Sequence, residues 1–277
     1  MIRRRALLKK ACLTALASPF AAFGYGRFVE RHWFEVVKLD VPLRGLGSAW
    51  DGFRLVHISD LHLEPHLHVD QVSHAVQTIN ALKPGMIAIT GDFVTDDANT
   101  FEALVAPLRE LRAELGIFTC HGNHDLWTQP ERIARALRAL GFQHLINQGV
   151  GLSRQNEPLW IAGLESAWAG RPSFTSAAKG KPAKAPSITL VHEPDYADIL
   201  SQAPANQLQL SGHTHGGQVC LPFGIPLILP DWGKKYAKGL FSLGRLQLYV
   251  NRGLGTLGPD ARFACRPEIT EITLRSA

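Results

Sequence analysis

What this sequence lacks narrows its class before any motif is read. It has no C-x-x-C pair: Cys12, Cys120, Cys220 and Cys265 stand far apart. That spacing argues against a zinc ribbon or a dithiol redox motif and implies no disulfide framework, so the cysteines read as buried free thiols. The body of the chain also lacks a basic surplus. Arg3, Arg4, Arg5, Lys9 and Lys10 lie in a stretch, 1–25, that holds no acid, and they account for the whole formal charge of +5. The rest is close to neutral, which argues against nucleic acid as a partner. There is no internal repeat, no coiled-coil pattern and no wholesale disorder. The 277 residues, 45% hydrophobic and 19% charged, suit a globular chain with a substantial core.

The N-terminus has the layout of an export signal. A basic start leads into an apolar stretch from Ala11 to about Gly26, interrupted by Pro19. The stretch falls short of the roughly 20 apolar residues of a bilayer span. Arg4-Arg5-Ala6-Leu7-Leu8-Lys9 resembles the twin-arginine export motif. Two outcomes stay open: a cleaved signal, with Ala15-Leu16-Ala17 as one candidate site, or an anchor retained in the inner membrane. Residues 1–26 are therefore expected to be a signal or anchor, and 33–277 the folded domain.

Beyond the leader, short apolar runs each end in a polar cluster. Phe53 to Ser59 runs into Asp60-Leu61-His62, and Met86 to Thr90 into Gly91-Asp92. Gly116 to Cys120 leads to Gly122-Asn123-His124-Asp125, Ser187 to Val191 to His192, and Gln207 to Leu210 to Gly212-His213-Thr214-His215. Near-continuous apolar strands of this kind are buried on both faces. Helical periodicity fills the gaps over Val69 to Leu82, Phe101 to Leu115 and Pro130 to Leu140. The first half thus alternates strand and helix, and the part after Leu208 is mostly strands. This pattern predicts two packed sheets with helices outside. Ala177 to Pro186 reads as a flexible surface insertion.

The clusters carry the chemistry. Ligand sites in α/β sheets collect at the carboxyl ends of strands. Imidazole and carboxylate together suit divalent Mn, Fe or Zn. In extended backbone, residues i and i+2 face one side, so Asp60 with His62, and His213 with His215, can share a site. Gly91, Gly122 and Gly212 allow tight turns and close approach.

Taken in order, D-x-H, G-D, G-N-H-D, H and G-H-x-H resemble the calcineurin-like metallophosphoesterase superfamily. His192-Glu193-Pro194-Asp195, Ser211 to Gln218 and Tyr249 to Gly255 are similar to its bacterial YkuE/YaeI-type phosphodiesterase branch. The resemblance covers about Trp33 to Leu274. It implies a four-layer α/β/β/α sandwich of two mixed β-sheets flanked by helices, the metallo-dependent phosphatase fold. It also implies two divalent metal ions. Asp60, His62 and His215 would hold the first, and Asn123, His192 and His213 the second, with Asp92 bridging them. A metal-bridging hydroxide would then attack phosphorus, His124 would stabilise or protonate the leaving group, and Asp125 would orient His124. Relatives in this branch include phosphodiesterases and an enzyme that splits UDP-2,3-diacylglucosamine in lipid A synthesis. The expected substrate is accordingly a phosphodiester or pyrophosphate, lipid-linked and met at a membrane surface by a monomer. A general phosphomonoesterase or protein phosphatase is the alternative enzyme, and a non-catalytic scaffold the alternative class. Purple acid phosphatases are disfavoured, because Thr95 stands where they carry tyrosine and His62 where they carry glycine.

Several features compete with this reading. Gly253-Leu254-Gly255-Thr256-Leu257-Gly258 fits G-x-G-x-x-G, but Pro259 follows where a helix is needed, so no dinucleotide site is expected. Arg252 and His66 are candidate substrate contacts; for Arg252 the competing role is a structural turn. His57 is expected to pack within its strand. Val219 to Pro230 (VCLPFGIPLILP) reads as a buried hairpin, with a lipid-facing lip beside the site as the alternative.

Overall fold

The computed structural model describes residues 20–63, 67–203 and 207–277. The signal features before Phe20, including Cys12 and Ala15-Leu16-Ala17, lie outside the described residues, as does His66. Two six-stranded mixed sheets face one another. The first has the spatial order β1 (Glu35–Leu43), β14 (Glu268–Ser276), β2 (Arg54–Ile58), β3 (Met86–Ile89), β4 (Ile117–Thr119), β5 (Gln143–His144). Strands β2 to β5 are parallel, and β14 runs antiparallel to β2. The second has the order β12 (Gly239–Leu243), β13 (Leu246–Val250), β9 (Leu208–Ser211), β8 (Ser187–Leu190), β7 (Glu157–Gly163), β6 (Gln148–Arg154). Its four inner strands are parallel, and each edge closes as an antiparallel hairpin.

The apolar runs form these strands because both of their faces are covered. Leu55, Met86, Ala88 and Phe118 point between the sheets and meet Ile161, Ile188, Leu190 and Leu210. Their neighbours Val56, Ile58, Ile87 and Ile89 point outward, onto α2 (Val69–Ala81), α3 (Phe101–Arg109) and α5 (Pro130–Ala139). On the far side, Ala162, Leu248 and Val250 meet Ala177, Ala197 and Leu200. Those residues sit on α6 (Phe174–Ala177) and α7 (Ala197–Leu200). The architecture is the expected α/β/β/α sandwich, with its second helical layer reduced to two four-residue helices. Each core side chain contributes about 1.5–3 kcal/mol by burial. Phe118→Ala, between the sheets, would remove about 3–5 kcal/mol.

Three expectations change. α3 ends at Arg109 rather than near Leu115 because Asn80 of α2 caps it. The Asn80 side chain accepts from Arg112 N–H (2.9 Å) and donates to Glu110 O (2.8 Å). The chain then leaves to pair Leu115 N–H with Gly85 O (2.8 Å). The stretch 177–186 is tied down at both ends by buried Ala177 and Ala185. Most plainly, Val219 to Pro230 does form a hairpin, β10 (Cys220–Leu221) with β11 (Ile225–Pro226), but the hairpin is not buried. Phe223 is fully exposed and Ile228 is 82% exposed. The tip stands beyond the sheets, where among the described residues no layer covers it.

A helix at 20–28, α1, joins the domain directly, and residue 26, the expected end of the leader, lies inside it. Gly26 O accepts from Arg262 N–H (3.1 Å), and Arg27 and Arg31 pair with Asp260. A Cβ at residue 26 would stand 2.5 Å from Arg262 O, so only glycine permits this contact. No described helix is long and apolar enough to cross a membrane.

Candidate metal centre

All seven candidate ligands leave the carboxyl ends of inner strands: Asp60 and His62 after β2, Asp92 after β3, Asn123 after β4, His192 after β8, His213 and His215 after β9. Asn123, His124 and Asp125 open a short helix, α4 (Asn123–Trp127). The donor atoms of Asp60, His62 and His215 lie within 4.8 Å of one another, and so do those of Asp92, His192 and His213. Asp92 Oδ2 lies between the sets, 3.3 Å from His62 Nε2 and 3.0 Å from His192 Nε2. All seven ligands are buried.

The pairings are not produced by extended backbone. Asp60, His62, Asp92, His213 and His215 all have positive φ, between 45° and 73°. Left-handed residues at i and i+2, with right-handed Thr214 between His213 and His215, curl the chain so that the pair face the same point. Close approach does the rest. A Cβ at Gly122 would stand 2.1 Å from Asp92 Oδ1, and one at Gly212 would stand 2.1 Å from Asp60 Oδ2.

The donor set fits metal. Among the described residues, His62 Nε2, Asn123 Oδ1, His192 Nε2 and His215 Nδ1 are buried and make no hydrogen bond, although Asp92 Oδ2 stands close to the first and third. Orphaned buried polar atoms are costly, so their convergence marks a ligand position. The outer nitrogens are fixed instead. His192 Nδ1 donates to Thr90 O (2.6 Å) and His213 Nε2 to Asp231 O (2.8 Å), which leaves the other nitrogen of each for a cation. Two backbone-held carboxylates among four imidazoles and an amide oxygen suit a pair of first-row divalent ions.

The charged groups of the site act strongly on one another. Burial opposes the charge on His192, but Asp92 and Asp60 outweigh it and hold the imidazole well above its usual range. Burial likewise opposes charge on Asp92, yet His192 and His62 hold its carboxyl well below the usual range. Burial pushes His213 down to about 4 and lowers His215.

His124 lines the cavity, and its Nδ1 is held by Thr95 O (2.8 Å). That contact corrects the role expected of Asp125. Asp125 instead accepts the backbone N–H groups of Asp92, Phe93 and Gly122, each at 2.9 Å, and so pins the Asp92 turn to α4. Arg252 is also reassigned: it pairs with Glu268 and with Glu35 Oε2 (2.8 Å), tying the Gly253–Gly255 turn to the first sheet. That turn backs the metal site, since Gly255 N–H donates to Asp60 O (2.7 Å).

Sequence reasoning missed an aromatic roof. His124, Trp127, Trp168 and His213 stack edge to face in a chain, with successive ring centroids 5.0–5.5 Å apart. Buried Glu193 holds the Trp168 turn through Ala167 N–H (2.7 Å) and Trp168 N–H (3.3 Å). Beside this roof opens a cavity of about 730 Å³. Asp92, Asn123, His124, His213 and His215 form its floor, and Phe23, Leu227, Ile228 and Leu257 are among its walls.

A profile of the family described as calcineurin-like phosphoesterase matches residues 53–217. The chain belongs to this family. The phosphoesterase is 37% identical over 259 residues to the Bacillus subtilis protein described as uncharacterized metallophosphoesterase YkuE, covering 92% of this chain and 90% of that one. It is 31% identical to the Escherichia coli phosphodiesterase YaeI, covering 99% and 100%. A third relative is the Chlamydia trachomatis UDP-2,3-diacylglucosamine pyrophosphatase LpxG, 30% identical and covering 92% and 94%. Among solved structures, a Danio rerio dimetal phosphatase shares the fold with TM-score 0.50 and 10% identity, covering 80% and 99%. The phosphoesterase is thus a metal-dependent hydrolase of phosphoric esters by family, fold and donor set.

Proposed function

We propose that this phosphoesterase cleaves a phosphodiester or pyrophosphate bond in a lipid-linked substrate at a membrane surface, having been exported by its twin-arginine-like leader or anchored by it. The carrying observation is the cavity: its apolar walls lead straight onto Asp92, His124 and His213. Such a space fits acyl chains with the phosphate at its floor. Phe23 of α1 and Leu227 and Ile228, which follow the β10–β11 hairpin, line the same cavity, and Phe20, Phe23, Phe223 and Ile228 are all largely exposed. The relative that hydrolyses a diacylated nucleotide sugar supports this substrate class.

In this reading Asp60, His62 and His215 would hold one divalent ion, Asn123, His192 and His213 the other, with Asp92 within reach of both. The two cations would supply Lewis acidity and an activated water. Asp92 Oδ1 accepts His124 N–H (2.9 Å), so the same carboxylate also sets the position of His124. Thr95 O fixes a proton on His124 Nδ1, which leaves Nε2 toward the cavity. Burial lowers the His124 pKa, and Asp92 only partly opposes this. A phosphate beside Nε2 adds the negative charge that favours protonation, so His124 takes up its proton with substrate and gives it to the leaving oxygen. Trp127 and Trp168 roof the floor and exclude water from it.

The test is hydrolysis of bis(p-nitrophenyl) phosphate with Mn, followed by a screen of phospholipids and nucleotide-linked lipids, each scored against His124→Ala. Metal-loaded protein no more active than Asp92→Asn on every substrate would refute hydrolysis. Activity confined to water-soluble monoesters would refute the lipid assignment.

A further inference from the structure

Two thiols about 45 residues apart in sequence meet directly beneath the His213–His215 turn. Stretches 218–220 and 261–263 run alongside each other, joined by Cys220 N–H to Phe263 O (2.9 Å) and Phe263 N–H to Gln218 O (3.0 Å). Ala264 then takes a left-handed φ of 51° and turns Cys265 back beside Cys220. The Cys265 sulfur donates to His215 O (3.3 Å). Both sulfurs lie 3.4 Å from the same acceptor, Gly216 O. Both cysteines are buried, so the pair is fixed by the fold.

We propose that Cys220 and Cys265 are a disulfide-forming site that clamps two walls of the cavity together. Both sulfurs lie against one carbonyl oxygen, so a modest shift of either side chain brings them to the bonding distance of a disulfide. The oxidant is a disulfide R–S–S–R, from a small thiol or a thiol–disulfide oxidoreductase. One cysteine thiolate attacks an R sulfur and expels the first RSH. The second cysteine attacks the mixed disulfide and expels the other. Two thiols and one R–S–S–R become one Cys220–Cys265 bond and two RSH, with the electron pair leaving on R.

The surroundings tolerate both states. Oxidation removes two S–H donors, but Gly216 O keeps Lys238 Nζ at 3.3 Å and His215 O keeps Arg262 Nη1 at 3.4 Å. The bond would join the base of the exposed hairpin, which contributes Val219, Leu227 and Ile228 to the cavity, to the loop contributing Leu257, Pro259 and Ala261. It would restrain the lip while leaving the metal ligands in place. Secreted and periplasmic proteins meet such oxidants routinely.

The assay uses the full chain and does not depend on any hydrolytic activity. Protein incubated with oxidised glutathione is denatured and its thiols counted with Ellman's reagent, then digested for peptide mass spectrometry. The expected count falls from four to two, with one peptide pair linking Cys220 to Cys265. Closing a loop of this size raises Tm by about 5–10 °C, reversed by dithiothreitol. Cys220→Ala and Cys265→Ala each abolish that shift. Four thiols surviving oxidation, a bond to Cys12 or Cys120, or a bond between chains would overturn the proposal, and the wild-type measurement decides even if a variant fails to fold.

Discussion

Replacing Phe223 and Ile225 by serine should detach the protein from membranes while sparing its chemistry. Neither residue lines the cavity. Phe223 is fully exposed and Ile225 just over half exposed, so truncation leaves the folded core intact. Full burial of such a side chain contributes about 2 kcal/mol, so inserting the first and completing burial of the second contributes about 3 kcal/mol. At 1.4 kcal/mol per decade, the double variant should partition roughly 100-fold more weakly. The assay is co-sedimentation with vesicles of phosphatidylethanolamine and phosphatidylglycerol, repeated in high salt to screen the attraction of the basic leader. Turnover of bis(p-nitrophenyl) phosphate, which needs no bilayer, should match wild type. Partitioning that is unchanged in the variant, or abolished in both proteins by salt alone, would refute the assignment of the hairpin tip as a membrane contact.

Asp92→Asn keeps the size and the acceptor for His124 N–H but removes the shared anion; metal analysis should show fewer than two ions per chain, and kcat should fall at least ~1000-fold, about 4 kcal/mol. His124→Ala should lower kcat by about 100- to 10,000-fold with KM little changed, because its imidazole acts on the leaving oxygen and holds no ligand position in the proposed scheme. Metal affinity should weaken as pH falls: His192, whose pKa is raised by Asp92 and Asp60, must lose its proton to ligate, so calorimetric titration should show about tenfold per pH unit for each proton displaced below that pKa, and pH-independent affinity would count against His192 as a ligand. Gly122→Ala sets a Cβ against Asp92 Oδ1 and should cost metal binding before it costs secondary structure, measured by metal content alongside circular dichroism.

Much of this was legible in the sequence, and the reason is local. β2, β3, β4, β8 and β9 are buried almost throughout, so each is written as a short, mostly apolar run, and each ligand cluster begins within four residues of its end. Features decided by distant contacts were not legible. Asn80 stops α3 from the neighbouring helix, and within 101–115 only Pro107, two residues before the end, hints at it. The β10–β11 segment has the composition of a core hairpin, and its exposure among the described residues, with Phe223 fully open, is decided by what the rest of the fold does not reach. Asp125 adjoins His124 in sequence yet serves the Asp92 turn, while Thr95, a residue with no chemical signature, holds His124 through its carbonyl. The meeting of Cys220 with Cys265 depends on one left-handed turn at Ala264.

The left-handed ligands explain why the site is built where it is. A non-glycine residue at positive φ costs on the order of 1 kcal/mol, less for Asp and His than for branched side chains. Five such residues in one pocket therefore oppose folding by about 5 kcal/mol, comparable to the net stability of a small domain. A flexible loop would relax this strain by turning its ligands away. Here each strained residue follows a strand whose residues are buried on both sides, and the turns are locked from behind: Asp125 grips the backbone of Asp92, Gly255 grips Asp60 O, and Arg262 Nη1 reaches His215 O. The core holds the donors in place, and among the described residues four buried donor atoms make no hydrogen bond. Binding two cations would satisfy those atoms at little further cost in order, because the backbone has already taken the shape that binding requires.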